Sequence, residues 1–252
     1  MFRSFFLTLV LFISAYIPSL LGYHCESSYC NTLGSGFLIG GYGVFHTFNF
    51  HTEDAVPGSN TIQNQFWSYD ATQRAPGGGG FIGYGVSLCK RFTLALKAAA
   101  TGYSSEAKHS FFVDQSDAPQ YYPNKMRVEY IIDLSLEPGV NIGNCLLLYF
   151  KFGPSYVGWR QTRQIFNVGL PQLRIFGEDK KHFHNWGYVF GVGANTLITR
   201  CISAFTELGW HSYPLNNSKR TLFNTLDPLT NLEYRTNRLY GFNFRFGLMA
   251  GF

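Results

Sequence analysis

The stretch 240-YGFNFRFGLMAGF-252 decides what kind of sheet this chain builds. Taken two residues at a time, Tyr240, Phe242, Phe244, Phe246, Leu248, Ala250 and Phe252 share one face, and Gly241, Asn243, Arg245, Gly247, Met249 and Gly251 the other. A period of two belongs to a strand, whose successive side chains point to opposite sides. Thirteen residues keep it unbroken, whereas strands of soluble domains run about 5 to 6. A strand tilted across a hydrocarbon layer of ~30 Å needs ~9 to 11, so the length predicts a membrane-crossing strand.

Seven more alternating segments precede it, at 36–50, 80–89, 91–103, 125–137, 145–156, 186–198 and 201–213. Their connections alternate in length. Short joins at 90, 138–144 and 199–200 take turns with gaps at 51–79, 104–124, 157–185 and 214–237. Short turns at one end and long loops at the other predict an all-β fold, an eight-stranded antiparallel up-and-down transmembrane β-barrel with short periplasmic turns and long external loops. Charged residues make up only 14% of the chain, against about 25% in a typical soluble domain, as suits a surface that faces lipid. The net charge of +5 is spread thinly, which argues against nucleic acid as a partner.

Residues 1–22 read as a signal peptide. Arg3 precedes the apolar run FFLTLVLFISAYI at 5–17, which is too short to span a bilayer as a helix. Residues 23–35 then form a periplasmic segment and 36–252 the barrel. Within the first of these, Cys25 and Cys30 are placed to close a small disulfide loop in an oxidising compartment, the reduced state being the other reading. Cys89, Cys145 and Cys201 recur every 56 residues at the short-turn ends. With two strands between each and the next, they are expected to be too far apart to bridge one another.

Segment 125–137 assigns the faces. Met126, Val128, Tyr130, Ile132, Leu134 and Leu136 alternate with Arg127, Glu129, Ile131, Asp133, Ser135 and Glu137. In a membrane barrel the apolar row faces lipid and the charged row the lumen. The same rule puts Lys97, Lys151, Asn195, Glu207, His211, Asn243 and Arg245 inside, facing Gly41, Gly43, Gly83, Gly85, Gly191 and Gly193. Lys97, Arg127, Glu129, Asp133, Lys151, Glu207 and Arg245 thus form the expected lumen charge network, its members paired because unpaired buried charge is costly. Long side chains opposite glycines fill an eight-stranded lumen, so the interior is read as plugged, with a narrow ion path as the alternative.

The runs 133-DLSLEPG-139, 147-LLYFKFG-153 and 186-WGYVFGVGA-194, with Phe at position 252, resemble the opacity and outer-membrane-protein-A type of eight-stranded barrel over residues 36–252. The resemblance implies the outer membrane of a Gram-negative bacterium and insertion by the barrel assembly machinery. It implies an assembly signal in Arg245, Gly247 and Phe252, with Ala250 small where a larger residue is expected, and Arg245 turned toward Glu207. Its members serve as adhesins, structural anchors or small channels, so the partners it implies are outer-membrane lipids, lipopolysaccharide and host surface molecules met by the loops.

No enzyme and no cofactor is expected. A lipid A-modifying barrel enzyme would need a histidine with a serine or acid at the external boundary, but the neighbours His211 and Ser212 point to opposite faces. His182 and His184 share a side without a third ligand nearby, so no metal site is assigned. The third long gap is basic, with Arg160, Arg163, Arg174, Lys180 and Lys181 against Glu178 and Asp179. That charge suits anionic lipopolysaccharide or polysaccharide.

Overall fold

The computed structural model describes residues 33–56, 65–89, 91–113, 120–143, 145–167, 174–199, 201–215, 220–223 and 231–252. The signal peptide, Cys25 and Cys30 lie outside them. Ten strands follow in order: β1 (Gly36–Val56), β2 (Gln65–Cys89), β3 (Phe92–Tyr103), β4 (Ala107–Val113), β5 (Gln120–Ile142), β6 (Leu146–Asn167), β7 (Arg174–Leu197), β8 (Ile202–Pro214), β9 (Arg220–Phe223) and β10 (Asn231–Gly251). Eight of them close the barrel, hydrogen-bonded in the order β1-β2-β3-β5-β6-β7-β8-β10, with β10 returning to β1. All pairings are antiparallel. The closing seam runs from Leu38 opposite Gly251 to Ala55 opposite Glu233. Phe37 and Phe252 exchange two backbone hydrogen bonds of 3.0 Å at its lower end. β4 and β9 prolong the lines of β3 and β8 by pairing with β5 and β10.

The outer wall is an apolar belt. Phe45, Ile82, Tyr84, Leu96, Ile132, Leu134, Phe150, Phe190, Phe242 and Leu248 are all more than 40% exposed. A contiguous apolar surface of this size is stable only against lipid, so the barrel spans a membrane. This is the architecture of outer-membrane-type barrels. Tyr240, Phe242, Phe246 and Leu248 face outward on β10 and Phe252 is exposed just past its end, while Gly241, Asn243, Arg245 and Met249 are buried inside.

The strands are longer than the alternation indicates. β2 has 25 residues, β7 has 24 and β5 has 23, so most of the gaps expected as loops are strand. At ~3.3 Å per residue and a tilt of ~40°, such a strand rises roughly 60 Å, against an apolar band of ~25 Å. The excess stands beyond the membrane, where the outer face need not be apolar and the period-two signal fades. The ladder continues there because the inner face stays apolar, with Phe48, Phe50, Ala71, Met126, Val128, Trp159 and Phe183 buried. The join expected at 138–144 shrinks to a tight turn, as β5 continues to Ile142 and Gly143 takes the left-handed conformation at φ 65°.

A β-bulge between Val128 and Tyr130 reverses the parity of β5. Ile131, Asp133, Ser135 and Glu137 point inward as expected, but above the bulge Met126 and Val128 are the buried residues. Arg127 and Glu129 therefore do not belong to the lumen network; they lie on the outer wall. Strand β1 corrects a second assignment. Tyr42, Val44, His46, Phe48 and Phe50 fill the lumen, and Gly41 and Gly43 face outward on the opposite parity.

Candidate functional site

The lumen is built in three storeys. The top is apolar, with Trp159 stacked on Phe183 at 4.4 Å and tilted against Phe50 at 5.8 Å. The middle storey holds the charge cluster, brought together by four strands, β5, β6, β8 and β10. Asp133 on β5 is at the centre, 1% exposed. It accepts from Arg245 Nη2 at 2.6 Å, Ser155 Oγ at 2.6 Å and His211 Nε2 at 3.2 Å, and Lys151 Nζ stands 3.8 Å away. Glu207 on β8 takes Lys151 Nζ at 3.0 Å and Arg245 Nη1 at 3.4 Å, and Tyr149 Oη donates to it at 3.4 Å. In the lower storey Lys97 pairs with Glu137 at 2.6 Å. Three carboxylates thus meet three cations, and this matching is what makes buried charge tolerable.

Neutral partners complete the middle storey. Tyr213 Oη and Ser155 Oγ are 2.7 Å apart, Asn243 Nδ2 lies 3.2 Å from His211 Nδ1, and His46 Nδ1 bonds the Tyr103 hydroxyl at 2.9 Å. The Arg245 guanidinium also stands 5.1 Å above the Tyr42 ring, a cation–π contact. Two cavities in the lower lumen are about 10 Å³ each, room for about one water.

Of the residues expected in the network, Asp133, Lys151, Glu207 and Arg245 share one cluster and Lys97 sits below it. Arg127 donates to the Tyr103 carbonyl at 3.2 Å, and Glu129 pairs with Arg160 at 3.6 Å and His182 at 3.4 Å, both on the outer wall. Tyr42, His46, Tyr103, Tyr149, Ser155 and Tyr213 were missed as network members. On β1, His46 and Thr52 share the parity of Tyr42, a polar trace that marks the inner face. Gly247 lines the lumen, and Phe252 is exposed at the lower rim, 68% open.

Ser155, Asp133 and His211 lie together but in the wrong order for nucleophilic catalysis. The carboxylate sits between serine and histidine, so the imidazole is not bonded to the hydroxyl it would have to deprotonate. All three are at most 1% exposed. Among the described residues no group of three His, Cys, Asp or Glu is arranged to hold a metal ion.

Of the turn cysteines, Cys201 is a free exposed thiol and Cys145 is disulfide-bonded. Cys145 is therefore not bridged to Cys201, as the expected separation of that pair requires. Its partner lies outside the described side chains, as do Cys25, Cys30 and the side chain of Cys89.

No family model matches the chain. An uncharacterized protein of Coxiella burnetii is 27% identical over 186 residues, 69% of this chain and 68% of that protein. Among solved structures, the outer membrane protein OprG of Pseudomonas aeruginosa is 15% identical, with 86% of this chain and 96% of that one covered and a TM-score of 0.45. The outer membrane protease OmpT of Escherichia coli is 10% identical, with 90% and 99% covered and a TM-score of 0.45. Neisserial surface protein A is 10% identical, with 87% and 99% covered and a TM-score of 0.42.

Proposed function

We propose that this barrel is a non-enzymatic outer-membrane protein with a sealed lumen, which works by presenting its external strand extensions at the cell surface in a structural and adhesive role. The observation that carries the reading is the filling of the lumen. The interlocked charge cluster lies below the cap of Trp159, Phe183 and Phe50, and the two lower-lumen cavities among the described residues hold about 10 Å³ each. This filling favours a structural role over transport, with Asp133 and His211 tying strands together across the lumen. What remains available to a partner is the part of the barrel above the membrane.

Shortening that part tests the reading. Thr162 of β6 is paired with Lys180 of β7, so replacing residues 163–179 by a two-residue turn keeps the ladder and the Trp159 and Phe183 layer. Replacing residues 52–69 between the paired His51 and Asp70 does the same for β1 and β2. Cells displaying the doubly shortened barrel should fold it and adhere less to surfaces coated with matrix protein or polysaccharide. Equal adhesion of cells carrying the full and shortened chains would reject the surface role.

A further inference from the structure

The bulge that turns Arg127 and Glu129 outward sets up a patch the lumen does not explain. Arg127 on β5, Arg160 on β6 and His182 on β7 are direct neighbours in register, facing out in one row across three strands. Lys125 and Lys180 flank Thr162 in the row above. Immediately below is an aromatic row. Tyr130 Oη lies 3.3 Å from His184 Nδ1, Tyr156 stacks on His184 at 5.9 Å, and Trp186 tilts against Tyr156 at 5.0 Å. Below that, Ile132, Leu134, Tyr188 and Phe190 belong to the apolar belt.

Going up this wall, the residues thus change from aliphatic to aromatic to cationic. Aromatic rings with polar edges mark the membrane–water interface. One step of two residues along a strand is ~7 Å, so the cationic row stands at headgroup level. Adjacent strands are ~4.8 Å apart, which sets two guanidinium-bearing residues side by side. Glu129 and Glu106 serve Arg160, at 3.6 and 3.8 Å. Arg127 has no carboxylate partner among the described residues; its Nη2 donates to the Tyr103 carbonyl at 3.2 Å, and its Nε is buried without a hydrogen-bond partner. Arginine matches phosphate with paired N–H donors, and a cationic cluster at a membrane surface attracts anionic headgroups.

We infer that the outer wall of β5, β6 and β7 binds a phosphate of an anionic glycolipid in the outer leaflet, with Arg127 and Arg160 as its principal ligands and Lys125 as an auxiliary one. Acyl chains would lie on the aliphatic belt, the sugar against Tyr156 and Trp186, and the phosphate on the arginines. The inference rests on the outer-membrane reading, which places this rim in the outer leaflet.

The test is native mass spectrometry of the full barrel in detergent, with diphosphoryl lipid A or phosphate-free lipid A added. Diphosphoryl lipid A should bind at least tenfold more tightly than the phosphate-free form. The variant Arg127→Gln/Arg160→Gln, and the milder Lys125→Gln, should lose affinity, the double variant about tenfold, while still running as heat-shifted bands on a gel. Equal binding of the two lipids would overturn the site, as would undiminished phosphate-dependent binding by a heat-shifted double variant. Absence of a heat shift in the unmutated chain would instead sink the barrel reading beneath it.

Discussion

Replacing Asp133 by Asn removes one charge from the centre of the lumen with almost no change of shape. The carboxylate receives Arg245 at 2.6 Å, Ser155 at 2.6 Å, His211 at 3.2 Å and Lys151 at 3.8 Å. After the change, Arg245, Lys151 and Lys97 face only Glu207 and Glu137, leaving an excess positive charge in a lumen without bulk water. Removing one partner of a buried pair costs about 3–5 kcal/mol. With a urea slope of ~1–3 kcal/mol/M, even the lower figure moves the midpoint down by roughly 1 M or more. The assay is reversible urea unfolding in lipid vesicles, read from the folded band of unheated samples. Arg245→Gln should cost a similar amount. The double variant should cost less than the sum of the two by about 1–3 kcal/mol, because contacting residues in one network are coupled. The exposed pair His51–Asp70, at 2.8 Å, is the control, and Asp70→Asn should change stability by no more than ~1 kcal/mol. A loss below 1 kcal/mol for Asp133→Asn, or strict additivity in the double variant, would refute the claim that this cluster holds the barrel together.

Tyr149 lies over Gly193, where an added Cβ would overlap its phenol ring and hydroxyl and force the ring to shift. Gly193→Ala should therefore destabilise the barrel by about 1–3 kcal/mol in the same titration, whereas Gly102→Ala, with open space around it, should be close to neutral. Cys201 sits at the β7–β8 turn as an exposed free thiol. A membrane-impermeant maleimide should label it only after the outer membrane is permeabilised, and Cys201→Ser should abolish that part of the labelling; Cys201-dependent labelling of intact cells would invert the topology. Deleting Glu129, the extra residue of the β5 bulge, restores simple alternation while leaving Val128 and Ile131 inward. The deletion should preserve the heat-shifted band, and its disappearance would contradict the assigned bulge.

The barrel was legible in the sequence because lipid imposes a strict outer-face rule. That rule set the faces of β10 and of the lower half of β5, and it placed Asp133, Lys151, Glu207 and Arg245 inside. It fails where lipid no longer acts. Above the membrane β2 and β7 carry polar residues outward, and segments such as 65-QFWSYDATQR-74 and 174-RIFGEDKKHFH-184 looked like loops although both are strand. The bulge was hidden because one inserted residue leaves no mark in composition, yet it exchanged Arg127 and Glu129 for Met126 and Val128. On β1 both faces carry rings and glycines, so treating the apolar face as outward chose the wrong parity. Tyr42, Phe48 and Phe50 point inward because a lumen packed with side chains needs bulk as well as charge.

The central claim, a closed barrel sealed by its own side chains, is tested most directly by conductance. Purified, heat-shifted protein reconstituted into a planar bilayer should give no discrete steps at any modest applied voltage. Reproducible ohmic steps of constant size, from protein whose Asp133 cluster is intact, would contradict it.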